Sequence, residues 1–141
     1  MTGGATRGDW PYRAPPDLEQ FQKLAEAAYG SMPENFRRLC GNLVIHVADE
    51  ADRAALREMG IEDPLTLSGL FEGVGLAHAS VSDPYEFPNH VHLYRRSIIA
   101  EWRARGDVRL VQLITHVLVH EIGHHFGLSD EDMHMIENAA S

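Results

Sequence analysis

With a single cysteine, Cys40, the chain can form no intrachain disulfide and no zinc site built from thiolates alone. That residue reads as a small buried hydrophobe. Long apolar runs are also missing: each is broken by His, Arg or Gly within a few residues, too soon for a bilayer span. The opening stretch, MTGGATRGDWPYRAPP, lacks the continuous apolar core of a secretory signal, which points to a soluble, cytoplasmic protein. Basic residues are scarce, 12 Lys and Arg against 21 Asp and Glu. The resulting net charge of −9 opposes non-specific attraction to nucleic acid or an anionic membrane surface. Arg95 with Arg96, the nearest approach to a basic patch, reads as a solvated strand end. Histidine is the residue in excess, with nine copies.

The 141 residues allow one domain with a real core and are too few for two ordinary ones. Residues 1–16, rich in Gly and Pro, predict a flexible tail, and 17–141 the folded domain. From Asp17, a plausible N-cap, Leu18, Phe21, Leu24, Ala25 and Ala28 recur at helical spacing up to Gly30. Pro33 opens a second helix that Gly41 ends. NLVIHVADE (42–50) predicts a buried strand, 50–59 a short helix, and 60–75 a loop with a strand beyond it. HVHLYR (90–95) predicts a strand, and Ile98, Ile99 and Trp102 continue an apolar segment. With about five helices, three or four strands and no regular βαβ alternation, the fold class is α+β.

A long helix is predicted from Val108, capped by Gly106-Asp107, to about Phe126. Its apolar residues cover almost the whole circumference, the pattern of a buried central helix. Yet it carries His116, His120, Glu121, His124 and His125. Burying such groups without partners costs several kcal/mol, roughly 2–7 each. Their spacing supplies a reason. His120 and His124, four apart, stack their imidazoles on one helix face, where both can bind one tetrahedral zinc. Glu121, about 100° around the helix, stands beside that ion, where it can take a proton from water. This is the HExxH arrangement of zinc hydrolases. By this chain's own composition HExxH has about a 5% chance of arising by accident; the full HExxHxxGxxD of HEIGHHFGLSD reduces that to a few in ten thousand.

The extension has a mechanical purpose. On a straight helix residue 130 would lie about 9 Å along the axis from His124, on another face. A left-handed Gly127 ends the helix and reverses the chain, letting Asp130 return as third ligand while a fourth position stays open for water. Asp130 also fits the first turn of a last helix capped by Ser129, and His134 and Glu137 are alternative ligands. His116 reads as a hydrogen-bonded core histidine or a partner behind the ligands, and His125 as structural. His46, His78, His90 and His92 lack ligand spacing and read as non-ligands. Met133 and Met135 read as core or as an apolar floor beneath the metal.

These residues carry a resemblance. The chain resembles the small bacterial zincin-like, minimal metzincin-like metallopeptidases from about Phe21 to Ile136. The similarity rests on Pro33-x-x-Phe36 before NLVIHV, LSGLFEG (67–73), PNHVHLYRRSI (88–98) and HEIGHHFGLSDEDM (120–133). It implies an α+β zincin-like fold, a small mixed sheet with an edge strand over the active-site helix, and 90–95 as that edge strand. It also implies zinc on His120, His124 and Asp130, with Glu121 as general base. Unlike larger metzincins, the motif lies almost at the C-terminus, with no distant Met-turn and no following tyrosine for the oxyanion; Tyr94, Arg95 and His134 are the candidates for that contact.

The expected function is metal-assisted hydrolysis of a peptide or protein substrate, seated as an extended strand on HVHLYR, with no nucleic-acid or membrane partner. Two alternatives stay open: a non-catalytic zinc-stabilised module that holds a peptide or protein, and an RNA-processing enzyme with ligands spaced H-x3-H-x5-H. The charge of −9 and Glu121 count against the latter.

Overall fold

The computed structural model describes residues 10–12, 14–73 and 88–140. The helix predicted after Asp17 runs over Leu18–Gly30 (α1). The Asp17 carboxylate accepts the Gln20 N–H at 2.8 Å, and the Gln20 side chain accepts the Asp17 N–H at 2.9 Å. This capping box satisfies donors that a helix end otherwise leaves orphaned. Phe21, Ala25 and Ala28 form its buried face. A short helix, Glu34–Cys40 (α2), follows Pro33 and stops at Gly41. Then come β1 (Leu43–Ala48), α3 (Arg53–Met59), a single 3-10 turn (Pro64–Thr66) and β2 (Gly69–Glu72). The chain continues through β3 (Asn89–Tyr94), α4 (Arg95–Arg105), α5 (Leu110–His125) and α6 (Asp130–Ala140). The fold is α+β, with six helices among the described residues and a small mixed sheet ordered β1-β3-β2.

The sheet corrects two expectations. HVHLYR is the central strand rather than the edge: β3 pairs parallel with β1 and antiparallel with β2. Val91 and Leu93 are fully buried between α5 and the neighbouring strands, each contributing about 1.5–3 kcal/mol through burial. The strand at the sheet's edge beside α5 is β2, inside a stretch expected to be loop. NLVIHV, expected to be buried, is half open. Leu43, Ile45 and Val47 pack on the core beneath α1, while Val44, His46 and Ala48 face out. Continuous β-branching reads as two-sided burial, but a β-branched residue is equally at home on the open face of a pleated strand.

Arg95 and Arg96 begin α4 instead of closing the strand. Arg95 donates to Pro16 O at 2.6 Å and pairs with Asp49, and Arg96 pairs with Glu50. Acidic residues after β1 thus neutralise this basic pair. Gly106, at φ 73°, ends α4 rather than opening the next helix. Helix α5 starts two residues later than predicted, where the Gln112 side chain accepts the Arg109 N–H at 3.2 Å.

For the predicted tail, residues 1–9 and 13 lie outside the described residues, as do Gly75 and His78. Trp10 packs against the core and donates from its indole N–H to Ala14 O at 2.7 Å, and Pro16 is buried. Among the described residues no helix is long and apolar enough to cross a membrane.

Candidate metal centre

Helix α5 lies against α1, α4, α6 and the inner face of the sheet. Leu110, Leu113, Ile114, Val117, Leu118, Val119 and Ile122 are buried there. It is not buried all round, as the apolar pattern suggested. Gln112 and His124 are exposed and His116 and His120 half-buried, so one i,i+4 stripe stays open. The helix keeps its histidines along this stripe, which removes most of the desolvation cost that full burial would impose.

His120 is the hub. Its ring lies 4.0 Å from the His116 ring and 5.5 Å from that of His124, centroid to centroid. Glu137, reaching over from α6, accepts from His116 Nδ1 at 2.8 Å with one carboxylate oxygen. The other stands 3.4 Å from His120 Nε2. Burial, then the neighbouring His116, hold the His120 pKa below its ordinary value, opposed by Glu137 and Asp130. The folded chain therefore favours a neutral His120, the form in which imidazole ligates a metal.

Two glycines bring β2 and α6 onto this helix. A Cβ at Gly69 would stand 3.1 Å from Glu121 Cγ and 3.0 Å from His92 O. Strand β2 thus presses directly over Glu121, and Phe71 continues along the helix to meet the His125 ring at 4.3 Å, tilted by 36°. Covered in this way, Glu121 is half-buried, and burial raises its pKa against the lowering influence of His124. On the other side, a Cβ at Gly123 would meet Met133 Sδ at 2.5 Å. Gly123 is the gap that lets the fully buried Met133 dock α6 against α5. Met135, by contrast, is exposed.

The turn between these helices follows the predicted mechanics. Gly127 adopts φ 73°, Leu128 N–H donates to Gly123 O at 2.9 Å, and Gly127 N–H to His124 O at 3.2 Å. That pair of bonds is the Schellman motif, which only a residue tolerant of left-handed backbone closes without strain. The Ser129 hydroxyl then caps α6 by accepting the Asp132 N–H at 3.0 Å. Asp130 is the first residue of that helix and exposed, close enough to His120 to raise its pKa.

Of the expected ligands, His120 and His124 have neighbouring rings and Asp130 lies within electrostatic range of His120, but the three do not bring their ligand atoms together. The group whose ligand atoms all fall within 4.8 Å of one another is His116, His120 and Glu137. Two imidazoles and a carboxylate are donors that zinc accepts, at about 2.0–2.2 Å, so this locus fits a zinc ion in chemistry and in spacing. His125, in tilted contact with Phe71 and edge-on to Phe126, lies off the group, and His134 is exposed.

A family profile described as zincin-like metallopeptidase matches residues 40–140, from the end of α2 through α6. The chain belongs to the zincin-like metallopeptidase family. A search of curated proteins returned no match. Family membership supports a function of the zinc-hydrolase class, and the small mixed sheet with the six helices among the described residues is consistent with a zincin-like fold. The sequence pointed to the His120–His124 pair through its spacing. Glu137 entered only as an alternative ligand, and its place beside His116, 21 residues earlier, depends on how α6 returns along α5.

Proposed function

We propose that the chain is a zinc-dependent metallopeptidase-like hydrolase in which His120, His124 and Asp130 hold the ion and Glu121 is the general base. The observation that supports this reading is the pairing of two imidazoles on the open stripe of α5 with a glycine turn after which Asp130 lies within electrostatic range of His120. When bound, zinc supplies Lewis acidity, lowering the pKa of water in an open ligand position to about 7. Glu121 sits one residue after the first histidine, on the side of the helix under β2. Its burial favours uptake of a proton, the task of a general base.

The substrate we infer is an extended peptide segment laid along β2, the strand at the sheet's edge over α5, where main-chain hydrogen bonds give affinity without sequence specificity. Of the oxyanion candidates, Arg95 is held by Pro16 and Asp49, whereas Tyr94 lies within electrostatic range of Glu121 and His134 stands on α6.

One specific observation favours a second reading of the ligand set: the convergence of His116, His120 and Glu137. In that reading the ion sits one helical turn earlier and Glu137 replaces Asp130.

Glu121→Gln tests the catalytic assignment. The variant is expected to retain zinc and lose about 10²–10⁴-fold in peptide turnover. Undiminished turnover removes Glu121 from the role of base.

A further inference from the structure

The outer face of the sheet gathers a second set of metal-ligating side chains, separate from those of α5. Alternation along β3 turns Val91 and Leu93 into the core and His90 and His92 to the other face. The parallel register sets His46 of β1 opposite His92, and the antiparallel register sets Glu72 of β2 opposite His90. Three strands thus contribute three imidazoles and a carboxylate to one patch, using three of the nine histidines in the chain.

Their geometry is more specific than proximity. His46 Nε2 stands 2.9 Å from His90 Nδ1, and His92 Nε2 stands 2.6 Å from Glu72 Oε1. The His46 ring stacks on that of His92 at 4.7 Å and 15°, and on that of His90 at 5.1 Å and 26°. Zinc–nitrogen bonds of about 2.0–2.1 Å at a tetrahedral angle place two ligating nitrogens about 3.3 Å apart. The facing nitrogens of His46 and His90 reach that separation by opening about 0.4 Å. His92 and Glu72 are bonded to each other beside this pair and do not converge with it on a common point.

We propose that His46 and His90 form a two-histidine site, its remaining positions open to solvent, for a divalent ion of the zinc, nickel or copper type. The nitrogen-rich donor set suits these ions and disfavours Mg2+ and Ca2+, which take oxygen ligands. Burial, and after it the neighbouring His92 and His90, lower the His46 pKa and so favour the neutral ring that a metal needs. His46 and Glu72 are exposed, so an ion reaches the patch from solvent. Binding moves the proton between His46 and His90 to the other nitrogen of the ring that carries it, leaving both rings neutral and both facing nitrogens free.

Calorimetric titration of the full chain with Ni2+, beside His46→Gln, His90→Gln and His124→Ala, tests the site. The expected result is a Ni2+ site present in the wild type and in His124→Ala, weakened more than about tenfold in each of the two sheet variants. Circular dichroism of both sheet variants is expected to match the wild type, since His46 is exposed and glutamine retains a hydrogen-bonding end. Equal Ni2+ affinity in the wild type and the sheet variants overturns the proposal, leaving the two pairs as cross-strand hydrogen bonds. Loss of all Ni2+ binding in His124→Ala also overturns it, by assigning the ion to α5.

Discussion

At the scale of single residues, His120 balances opposing demands. In the proposed site it must be sheltered enough to stay neutral and open enough to accept an ion, and its half-buried place on the stripe of α5 is compatible with both. Cys40 is the opposite case. It is fully buried, its thiol 3.4 Å from Phe36 O, and burial raises its pKa despite an opposing hydrogen bond from Tyr29. Because a raised pKa means less thiolate at any pH below it, Cys40 is expected to be inert at pH 8. Iodoacetamide labelling should be more than about tenfold slower in the native protein than in guanidinium chloride. Equal rates would show that the thiol is not shielded as the structure has it.

At the scale of elements, the turn from α5 to α6 does the positioning. Gly127 holds a left-handed backbone that an alanine occupies only at a cost of about 1–2 kcal/mol. Gly127→Ala is therefore expected to lower the urea unfolding free energy by that amount. Gly30→Ala, at the end of α1 with open space around it and no positive φ, should show no such loss. Equal effects at the two positions would contradict the turn's role. Helix α5 and its turn were legible in the sequence because a four-residue histidine spacing, a glycine and a serine cap act locally. The place of HVHLYR in the sheet was not. Alternation reports which residues face the core but not which strands lie alongside, and both neighbours of β3 come from distant sequence. The same limit hid the histidine patch: His46 and His90 are 44 residues apart and meet only once register is fixed.

At the scale of the molecule, α6 is held to the core by Met133 filling the space at Gly123, while its Glu137 reaches the histidines of α5. An ion held between these two helices would tie them together and stabilise the folded chain. With free zinc a thousandfold above its dissociation constant, mass action adds about 4 kcal/mol, or roughly 8–16 °C in Tm for a domain of this size. A chelator should reverse the shift, and a Tm indifferent to both would argue against a site coupled to folding. The fold class and the helix that bears the site could be read from residue patterns. The convergence of His116 and Glu137 could not, since it is set by the packing of two helices. The central claim, that Asp130 rather than Glu137 completes the ligand set, is tested most directly by zinc affinities of Asp130→Ala and Glu137→Gln measured side by side. The account predicts a loss of more than about 100-fold for Asp130→Ala and of about tenfold for Glu137→Gln, the range of a partner behind the ligands. The reverse order would contradict it and move the ion one turn back along α5.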